Sequence, residues 1–378
     1  MLYLDHAATS PVRPEVKAAM EPYLTAVFGN PASHHTAGEA AARALEEART
    51  RVARVFGARV GDVVFTGGGT EANNLAVKGI TLAALASGRR RVVVSPIEHE
   101  SIRESAAYLA RFHGVTVAMP AVDGTGRIGR DALDTVLTDD TAVVSVGHAN
   151  NEIGTVQDIA ALREVVRARR VPLHVDAVQS AGWLPLHDLD ADAVSVAGHK
   201  LGAPKGTGAL VVRGRLPLEP LLHGGGQERG RRSGTVDVAG AVGLATALEL
   251  AEQERAAAAA RAAEATARFI AEVTRRVPDA TLTGHPVHRL PATASFTIAG
   301  VSGEAVLLEL ERRGVISSSG SACAAGSDEP SPVLLACGIS PEVAQTAVRF
   351  TFGRTALPAY APERLAALVA EAVAAVRG

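Results

Sequence analysis

Seven short apolar segments follow one another between residues 63 and 213, and helical spacing separates most of them. Because these segments are apolar nearly throughout rather than alternating, both faces of the sheet that they form should be covered by helices. This pattern is typical of an α/β fold with a mainly parallel sheet. The predicted strands are Val63–Thr66, Arg91–Ser95, Val115–Pro120, Ala142–His148, Pro172–Asp176, Ala193–Ala197 and Gly208–Arg213.

The segment after Gly240 has a different character. Residues Val242 to about Val277 are rich in Ala, Glu and Arg and are helical by propensity. Since 378 residues exceed the length at which one core stops growing, we predict a large domain over residues 15–255 and a smaller α+β domain from residues 1–14 and 256–378. Other predicted helices are Pro14–Val27, Gly38–Phe56, Thr70–Ala86, Ile159–Arg170, Gly303–Arg313 and Pro362–Val376, and further strands are Ala294–Ala299 and Ala347–Phe352.

Composition excludes several classes of protein. The formal charge of −2 provides no basic field for nucleic acid. No uncharged apolar run reaches the roughly 18 residues that a membrane span needs, and the first residues do not resemble a signal peptide. Two cysteines do not make a disulfide framework, which favours the reducing cytosol. We therefore expect a cytoplasmic protein without nucleic-acid or membrane partners, and we predict no metal site.

Two charged residues lie at the ends of neighbouring predicted strands. Lys200 follows the strand that ends at Ala197, and a partly desolvated lysine there is a usable nucleophile for a Schiff base with an aldehyde cofactor. A single loop lysine is more often an exposed surface residue. Asp176 ends an apolar strand, where a buried carboxylate needs a cation such as the protonated pyridine nitrogen of pyridoxal phosphate. A helix N-cap is the alternative for Asp176.

Three further motifs follow predicted strands. In Gly67-Gly-Gly-Thr70, the bare amides, including that of Gly69, and the Thr70 hydroxyl suit a phosphate, although a tight turn with Thr70 as helix N-cap is equally possible. His99 follows the strand ending at Ser95 and could lie on an aromatic cofactor, cap a helix or sit at the surface. The paired amides of Asn150-Asn151 lie where open α/β sheets bind ligands, or form a turn.

The two cysteines have contrasting surroundings. Cys323 lies within a loop of small residues, about 317–332, where nothing would bury its thiol. We therefore expect an exposed, reactive cysteine on a mobile segment. Cys337 lies among apolar residues and is predicted to belong to the core.

With these residues in place, the chain resembles the cysteine desulfurases, in the class V aminotransferase family of pyridoxal-phosphate enzymes. The resemblance runs almost end to end and implies their fold, type I of the pyridoxal-phosphate enzymes. The matching stretches are Tyr3-Leu-Asp-His-Ala-Ala-Thr9, Gly29-Asn-Pro31, Gly198-His-Lys-Leu-Gly-Ala-Pro-Lys-Gly206, Ser318-Ser-Gly-Ser-Ala-Cys323 and Arg349-Phe-Thr-Phe-Gly-Arg354.

The resemblance implies a role in cofactor binding for residues from several strands. Lys200 would hold pyridoxal 5′-phosphate covalently and later move protons. The other contacts would be Asp176 to the pyridine nitrogen, Gln179 to the ring hydroxyl, His99 stacked on the ring, and Thr70 and His199 to the phosphate. Thr235 would reach the phosphate of a neighbouring subunit, which implies a homodimer.

The resemblance also implies how substrate would be handled. Asn151 and Arg349 would bind the carboxylate of L-cysteine, the arginine through its two-pronged geometry. Cys323 would take the sulfur as a persulfide and release alanine, and the long loop resembles those that pass sulfur to an acceptor protein. Iron–sulfur cluster assembly, tRNA thiolation and other thio-cofactor pathways all remain open as its destination.

One residue departs from the family pattern, and two other functions stay open. Ala197 stands where many relatives have a serine that bonds the phosphate, so one hydrogen bond to a charged group, about 1.5–3 kcal/mol before water compensates, is lost. We expect weaker cofactor binding as a result.

The alternatives to a cysteine desulfurase are a selenocysteine lyase or another class V lyase or aminotransferase, and a non-catalytic sulfur-relay partner.

Overall fold

A seven-stranded sheet forms the centre of the computed structural model, which describes residues 1–320, 329–355, 358 and 361–378. The described strands, in chain order, are β1 Leu2–Tyr3, β2 Val63–Thr66, β3 Arg91–Val94, β4 Thr116–Ala118, β5 Thr141–Gly147, β6 Leu173–Asp176, β7 Ala193–Ala197, β8 Gly208–Val212, β9 Ala280–Leu282, β10 Thr293–Ile298, β11 Val315–Ile316 and β12 Ala347–Thr351.

The central sheet has the strand order β2-β8-β7-β6-β5-β3-β4. Neighbouring strands are parallel except at β8, which runs antiparallel to both β2 and β7. The predicted mainly parallel sheet of seven strands is therefore confirmed. Its apolar strands are buried on both faces, with one core on the side of Val144, Val175 and Val194 and another on the side of Val92 and Leu210.

Helices cover the sheet and extend beyond it. They are α1 Pro14–Leu24, α2 Thr36–Val55, α3 Gly69–Asn74, α4 Ile80–Ala84, α5 Glu100–His113, α6 Arg130–Val136, α7 Ile159–Ala168, α8 Val238–Arg276, α9 Gly303–Arg312, α10 Pro332–Ala336, α11 Pro341–Ala344 and α12 Ala361–Arg377.

Two of the differences between the predicted and the observed helices have local causes. A π-helical turn at Leu75–Gly79 joins α3 to α4, so the predicted helix Thr70–Ala86 is one continuous run with a wider turn inside it. Helix α8 begins four residues before the predicted Val242, because Asp237 caps it by accepting a hydrogen bond from Gly240 N at 2.9 Å.

A separate hydrophobic cluster lies around β9, β10, β12, α9 and α12, where Phe269, Phe296 and Phe350 pack edge to face. Strand β1 pairs in parallel with β11, which brings the first residues of the chain to this cluster. Along α8, Ala251 belongs to the central core and Ala262 to this second one. These positions support the division at residue 255, which stays a proposal.

Two kinds of feature are absent from the described ranges. No helix among them is long and apolar enough to cross a membrane. No group of three or more His, Cys, Asp or Glu side chains in the same ranges is arranged to hold a metal ion.

Candidate active site

A cavity of about 610 Å³ opens where β5, β6 and β7 end. Parallel strands deliver their carboxyl ends to one edge, which is where open α/β sheets bind ligands. Nine of the predicted site residues line it: Gly69, Thr70, His99, Asn151, Asp176, Gln179, His199, Lys200 and Arg349.

Lys200 lies on the turn Gly198–Lys200 that follows β7 directly. Its Nζ donates hydrogen bonds to the carbonyl oxygens of Ala7 and, at 2.9 Å, Ala8. Burial, and to a lesser extent the charge of Arg349, lowers the pKa of this amine to about 8, although Asp5 and Asp176 act in the opposite direction. About a tenth of the amine is therefore neutral at pH 7, far more than for an ordinary lysine.

Asp176 is the last residue of β6 and is buried. Its Oδ1 accepts a hydrogen bond from Val178 N at 2.8 Å and its Oδ2 accepts one from Asn73 Nδ2 at 2.7 Å. Both donors are neutral, and burial raises the pKa of the carboxyl despite them. No helix begins at this fully described part of the chain, so the N-cap alternative is wrong. The carboxyl instead suits a cationic ligand group.

The glycine run forms the start of α3, which Gly68 caps with φ +143°. Thr70 is thus inside the helix and exposed, and the alternative that it is the N-cap is wrong. A Cβ at Gly69 would lie 2.8 Å from Val178 Cγ2, so this position has no room for a side chain. The Gly67 amide donates to Glu71 Oε2 at 2.7 Å.

Two polar side chains beside Lys200 contact the N-terminal segment. Gln179 Nε2 donates to the Ala7 carbonyl at 3.1 Å. His199 Nδ1 lies 3.2 Å from the Thr9 hydroxyl. Burial lowers the pKa of His199 to about 4, with the charges of Lys200 and Lys205 adding to the effect, so its ring is neutral at pH 7.

His99 caps α5, because its Nδ1 accepts a hydrogen bond from Ser101 N at 3.1 Å. The same ring lines the cavity. The helix-cap alternative is therefore confirmed, and it leaves Nε2 as the ring nitrogen not engaged in the cap.

Arg349 is the largest fully buried side chain in the described ranges, with 2% of its surface exposed. Its Nη2 donates to Asp5 Oδ1 at 2.6 Å, and its Nη1 donates to the carbonyl oxygens of Asn151 at 2.8 Å and Gly320 at 2.9 Å. Its Nε has no hydrogen-bond partner among the residues that the structure describes. A buried, unpaired N–H beside a cavity is suited to an incoming carboxylate.

Comparisons with known proteins agree with this geometry. The sequence profile of the family described as "Aminotransferase class-V" matches residues 2–357. The cysteine desulfurase IscS of Dictyoglomus turgidum is 41% identical over 93% of this chain and 89% of its own length. The chain belongs to the cysteine desulfurases of the class V aminotransferase family. The IscS-like cysteine desulfurase of Mycobacterium tuberculosis is 43% identical over 95% of this chain and 93% of its own.

Solved structures show the same desulfurase fold. A NifS-like protein superposes with a TM-score of 0.91 at 30% identity, covering 99% of each chain. The prediction of a type I pyridoxal-phosphate fold is therefore confirmed, and the family's enzymes depend on that cofactor.

The two remaining predicted site residues of this desulfurase are Thr235 and Cys323. Thr235 is exposed outside the cavity, in a smaller groove that shares Gly67 and Gly206 with it. Cys323 lies outside the described residues. The described positions on either side of its segment, Gly320 and Pro332, both line the cavity.

Sequence reasoning missed the contribution of the N-terminal segment. Asp5, Ala7, Ala8 and Thr9 contact Arg349, Lys200, Gln179 and His199 through hydrogen bonds. The match of Tyr3–Thr9 to the family was the one signal available, because nothing in the local pattern indicates such distant contacts. Glu98 was also missed: it is buried at the cavity wall, and burial raises the pKa of its carboxyl to about 8.

The Ala197→Ser variant is expected to bind pyridoxal phosphate about tenfold more tightly. Ala197 lines the cavity beside the start of α3, with its Cβ 3.1 Å from where a Cβ on Gly69 would be. A hydroxyl there can donate to an anionic phosphate, whereas without cofactor it is a buried polar group that adds no stability. Equilibrium titration of the cofactor measures the affinity, and an unchanged or weaker Kd would contradict the expectation.

Proposed function

We propose that this protein is a pyridoxal-phosphate-dependent L-cysteine desulfurase that converts L-cysteine to L-alanine and first carries the sulfur as a persulfide on Cys323. The observation that carries the proposal is the meeting of three side chains in one cavity: the Lys200 amine, the Asp176 carboxyl and the Arg349 guanidinium. They supply a nucleophilic amine, a partner for a pyridine nitrogen and an anchor for a carboxylate.

The described residues fit the proposed cofactor at both of its ends. The buried Asp176 carboxyl has neutral hydrogen-bond donors on both oxygens and so suits a positively charged ring nitrogen. The bare backbone of Gly69 and the exposed Thr70 hydroxyl at the start of α3 suit a phosphate. When bound, pyridoxal phosphate supplies an electron sink for negative charge on the carbon that carries the substrate's amino group.

The chain's own residues then divide the remaining tasks. Lys200 Nζ accepts and returns a proton near neutral pH, which its lowered pKa allows. Asp176 keeps the ring nitrogen protonated. Arg349 holds the substrate carboxylate through its unpaired Nε–H, and Asn151 lines the cavity beside it. His99 Nε2 is available to exchange protons because Nδ1 is bonded to Ser101.

Cys323 is the proposed sulfur acceptor within the enzyme. It follows Gly320 by three residues in the sequence. The Gly320 carbonyl contacts the proposed substrate anchor, Arg349. In this step the Cys323 thiolate forms an S–S bond to the substrate sulfur as the carbon–sulfur bond breaks. The electron pair stays with the carbon, which takes a proton and leaves as the methyl group of alanine.

The proposal includes a homodimer, a sulfur-acceptor protein and a cytoplasmic location. The exposed position of Thr235 in a groove beside the cavity supports a role toward a neighbouring subunit's phosphate. A persulfide must be passed on, either to a thiol of an acceptor protein or to a small thiol. A reducing compartment suits a reaction that needs Cys323 as a free thiolate.

Cofactor absorbance and product analysis together test this function. The purified protein is expected to be yellow, with a band at about 420 nm that borohydride bleaches, and to release alanine and sulfide from L-cysteine in the presence of dithiothreitol. Cys323→Ala should abolish sulfide release. Cys337→Ala is the matched control, since burial raises the pKa of the half-buried Cys337 to about 11 and makes it a poor nucleophile. Full activity in Cys323→Ala would refute the mechanism.

A further inference from the structure

The N-terminal segment is bound along the loop that carries Lys200. Ser10 N donates to the His199 carbonyl at 2.9 Å, and Arg13 N donates to the Gly202 carbonyl at 2.9 Å. These backbone bonds do not involve any side chain of the segment. The backbone of Thr9 is therefore held beside His199 whatever side chain it carries.

The side chain of Thr9 contacts one nitrogen of His199. Its Oγ1 lies 3.2 Å from His199 Nδ1, and both residues line the cavity. The structure shows no hydrogen bond at His199 Nε2 to any residue that it describes. A neutral imidazole has one N–H, so the bond made by one ring nitrogen determines whether the other can donate.

We propose that Thr9 is a positioning residue that donates its hydroxyl proton to His199 Nδ1 and so keeps the ring proton on Nε2, where it can donate to the phosphate of the cofactor. The inference rests on the proposed function, because it assumes pyridoxal phosphate in this cavity. With the proton on Nδ1 instead, Nε2 would present a lone pair to an anion. Threonine is suited to this role because its hydroxyl can donate where a carbonyl could only accept.

The surroundings of His199 favour a ring with a single proton. Burial lowers the pKa of the ring, and the charges of Lys200 and Lys205 lower it as well. Which ring nitrogen carries the proton then matters for binding the phosphate. In the same way, a histidine that binds a metal is oriented by the hydrogen bond of its other ring nitrogen. The phosphate site also lacks a serine hydroxyl at Ala197, which leaves more of the binding to His199 and the start of α3.

Binding of two cofactor forms separates this role from a structural one. The probes are pyridoxal phosphate and pyridoxal, which lacks the phosphate, titrated into the cofactor-free full chain. Thr9→Val keeps the shape of the side chain and removes its hydroxyl. It is expected to weaken the binding of pyridoxal phosphate about 5- to 10-fold and to leave the affinity for pyridoxal unchanged. Thr9→Ser should restore the wild-type affinity to within about twofold.

Two controls and one spectroscopic measurement complete the design. Ser10→Ala removes the neighbouring hydroxyl, which pairs with His6 Nδ1 at 3.0 Å, and should alter neither affinity. In a His199→Ala background, Thr9→Val should have no further effect, because coupled residues are not additive. Nitrogen-15 NMR of His199 in the loaded protein should show the proton on Nε2 in the wild type and a mixture of tautomers in Thr9→Val.

The outcomes are distinguishable. If Thr9→Val weakens the binding of both probes equally, Thr9 is a structural residue. If it changes neither affinity, Thr9 has no positioning role, and the inference is wrong. A wild-type ring that is protonated at Nδ1 or at both nitrogens would also overturn the inference. If the wild type binds neither probe, the proposed function fails and this inference fails with it.

Discussion

In a Lys200→Ala protein the rate of L-cysteine desulfuration is expected to fall by about a thousandfold or more, and the absorption band at about 420 nm is expected to disappear. In the proposed mechanism one atom, Lys200 Nζ, both captures the aldehyde and moves protons. Lys78→Ala is the matched control: burial also lowers the pKa of Lys78, but its Nζ lies over the Tyr108 ring at 4.4 Å, outside the cavity. Loss of activity in both variants would point to general damage rather than to Lys200.

The same lysine predicts a pH dependence for cofactor uptake. Since the neutral amine is the nucleophile and the pKa of Lys200 is lowered to about 8, the uptake rate should rise about tenfold per pH unit below 8 and level off above it. An ordinary lysine, with a pKa of about 10.4, would give an uptake rate that still rises at pH 9. Stopped-flow absorbance on mixing cofactor-free protein with pyridoxal phosphate distinguishes the two profiles.

Replacing Asp176 with asparagine is expected to stabilise the cofactor-free protein and to remove its activity. The buried carboxyl has neutral donors, and burial raises its pKa, so its ionised form is costly when no cation faces it. The introduced amide could still accept from Val178 N through its carbonyl oxygen, and a rotated Asn73 could offer its Oδ1, which now has no partner in the described structure. We expect Tm to rise by about 1–3 °C, with an activity loss of about 10²–10³-fold.

Calorimetry of the cofactor-free protein and steady-state kinetics of the loaded one measure these two effects. Asn73→Ala provides the comparison, because it removes a donor from the carboxylate and should lower Tm. A lower Tm in Asp176→Asn would show that the carboxylate is well solvated or paired. Retained activity would show that no charge is needed opposite the ring nitrogen.

The strands and their ends were predictable because apolar runs flanked by glycine and polar residues are local signals. The positions of the strand ends, in turn, indicated Lys200 and Asp176 as candidate site residues. The antiparallel direction of β8 was also predictable, because only ten residues separate Ala197 from Gly208, fewer than a parallel crossover needs. The early start of α8 depended on recognising Asp237 as a cap, which the apolar pattern does not show.

The partners of the site residues could not be predicted in the same way. Lys200 is bonded to Ala7, 193 residues away, and no periodicity connects two such segments. The pairing of β1 with β11 and the burial of Arg349 likewise depend on tertiary packing. Sequence patterns thus indicated which residues could form a site, whereas the contacts that hold them in place could be seen only in the folded chain.

The ion pair between Asp5 and Arg349 has a consequence for synthesis on the ribosome. Its partners are 344 residues apart, so at about 5–20 residues per second Asp5 is made some 17–70 s before Arg349. The central sheet can form in the nascent chain during that interval, but the proposed substrate anchor, Arg349, cannot. A stalled or truncated product that ends before Arg349 would thus keep Lys200 and lack the buried arginine that lines the same cavity.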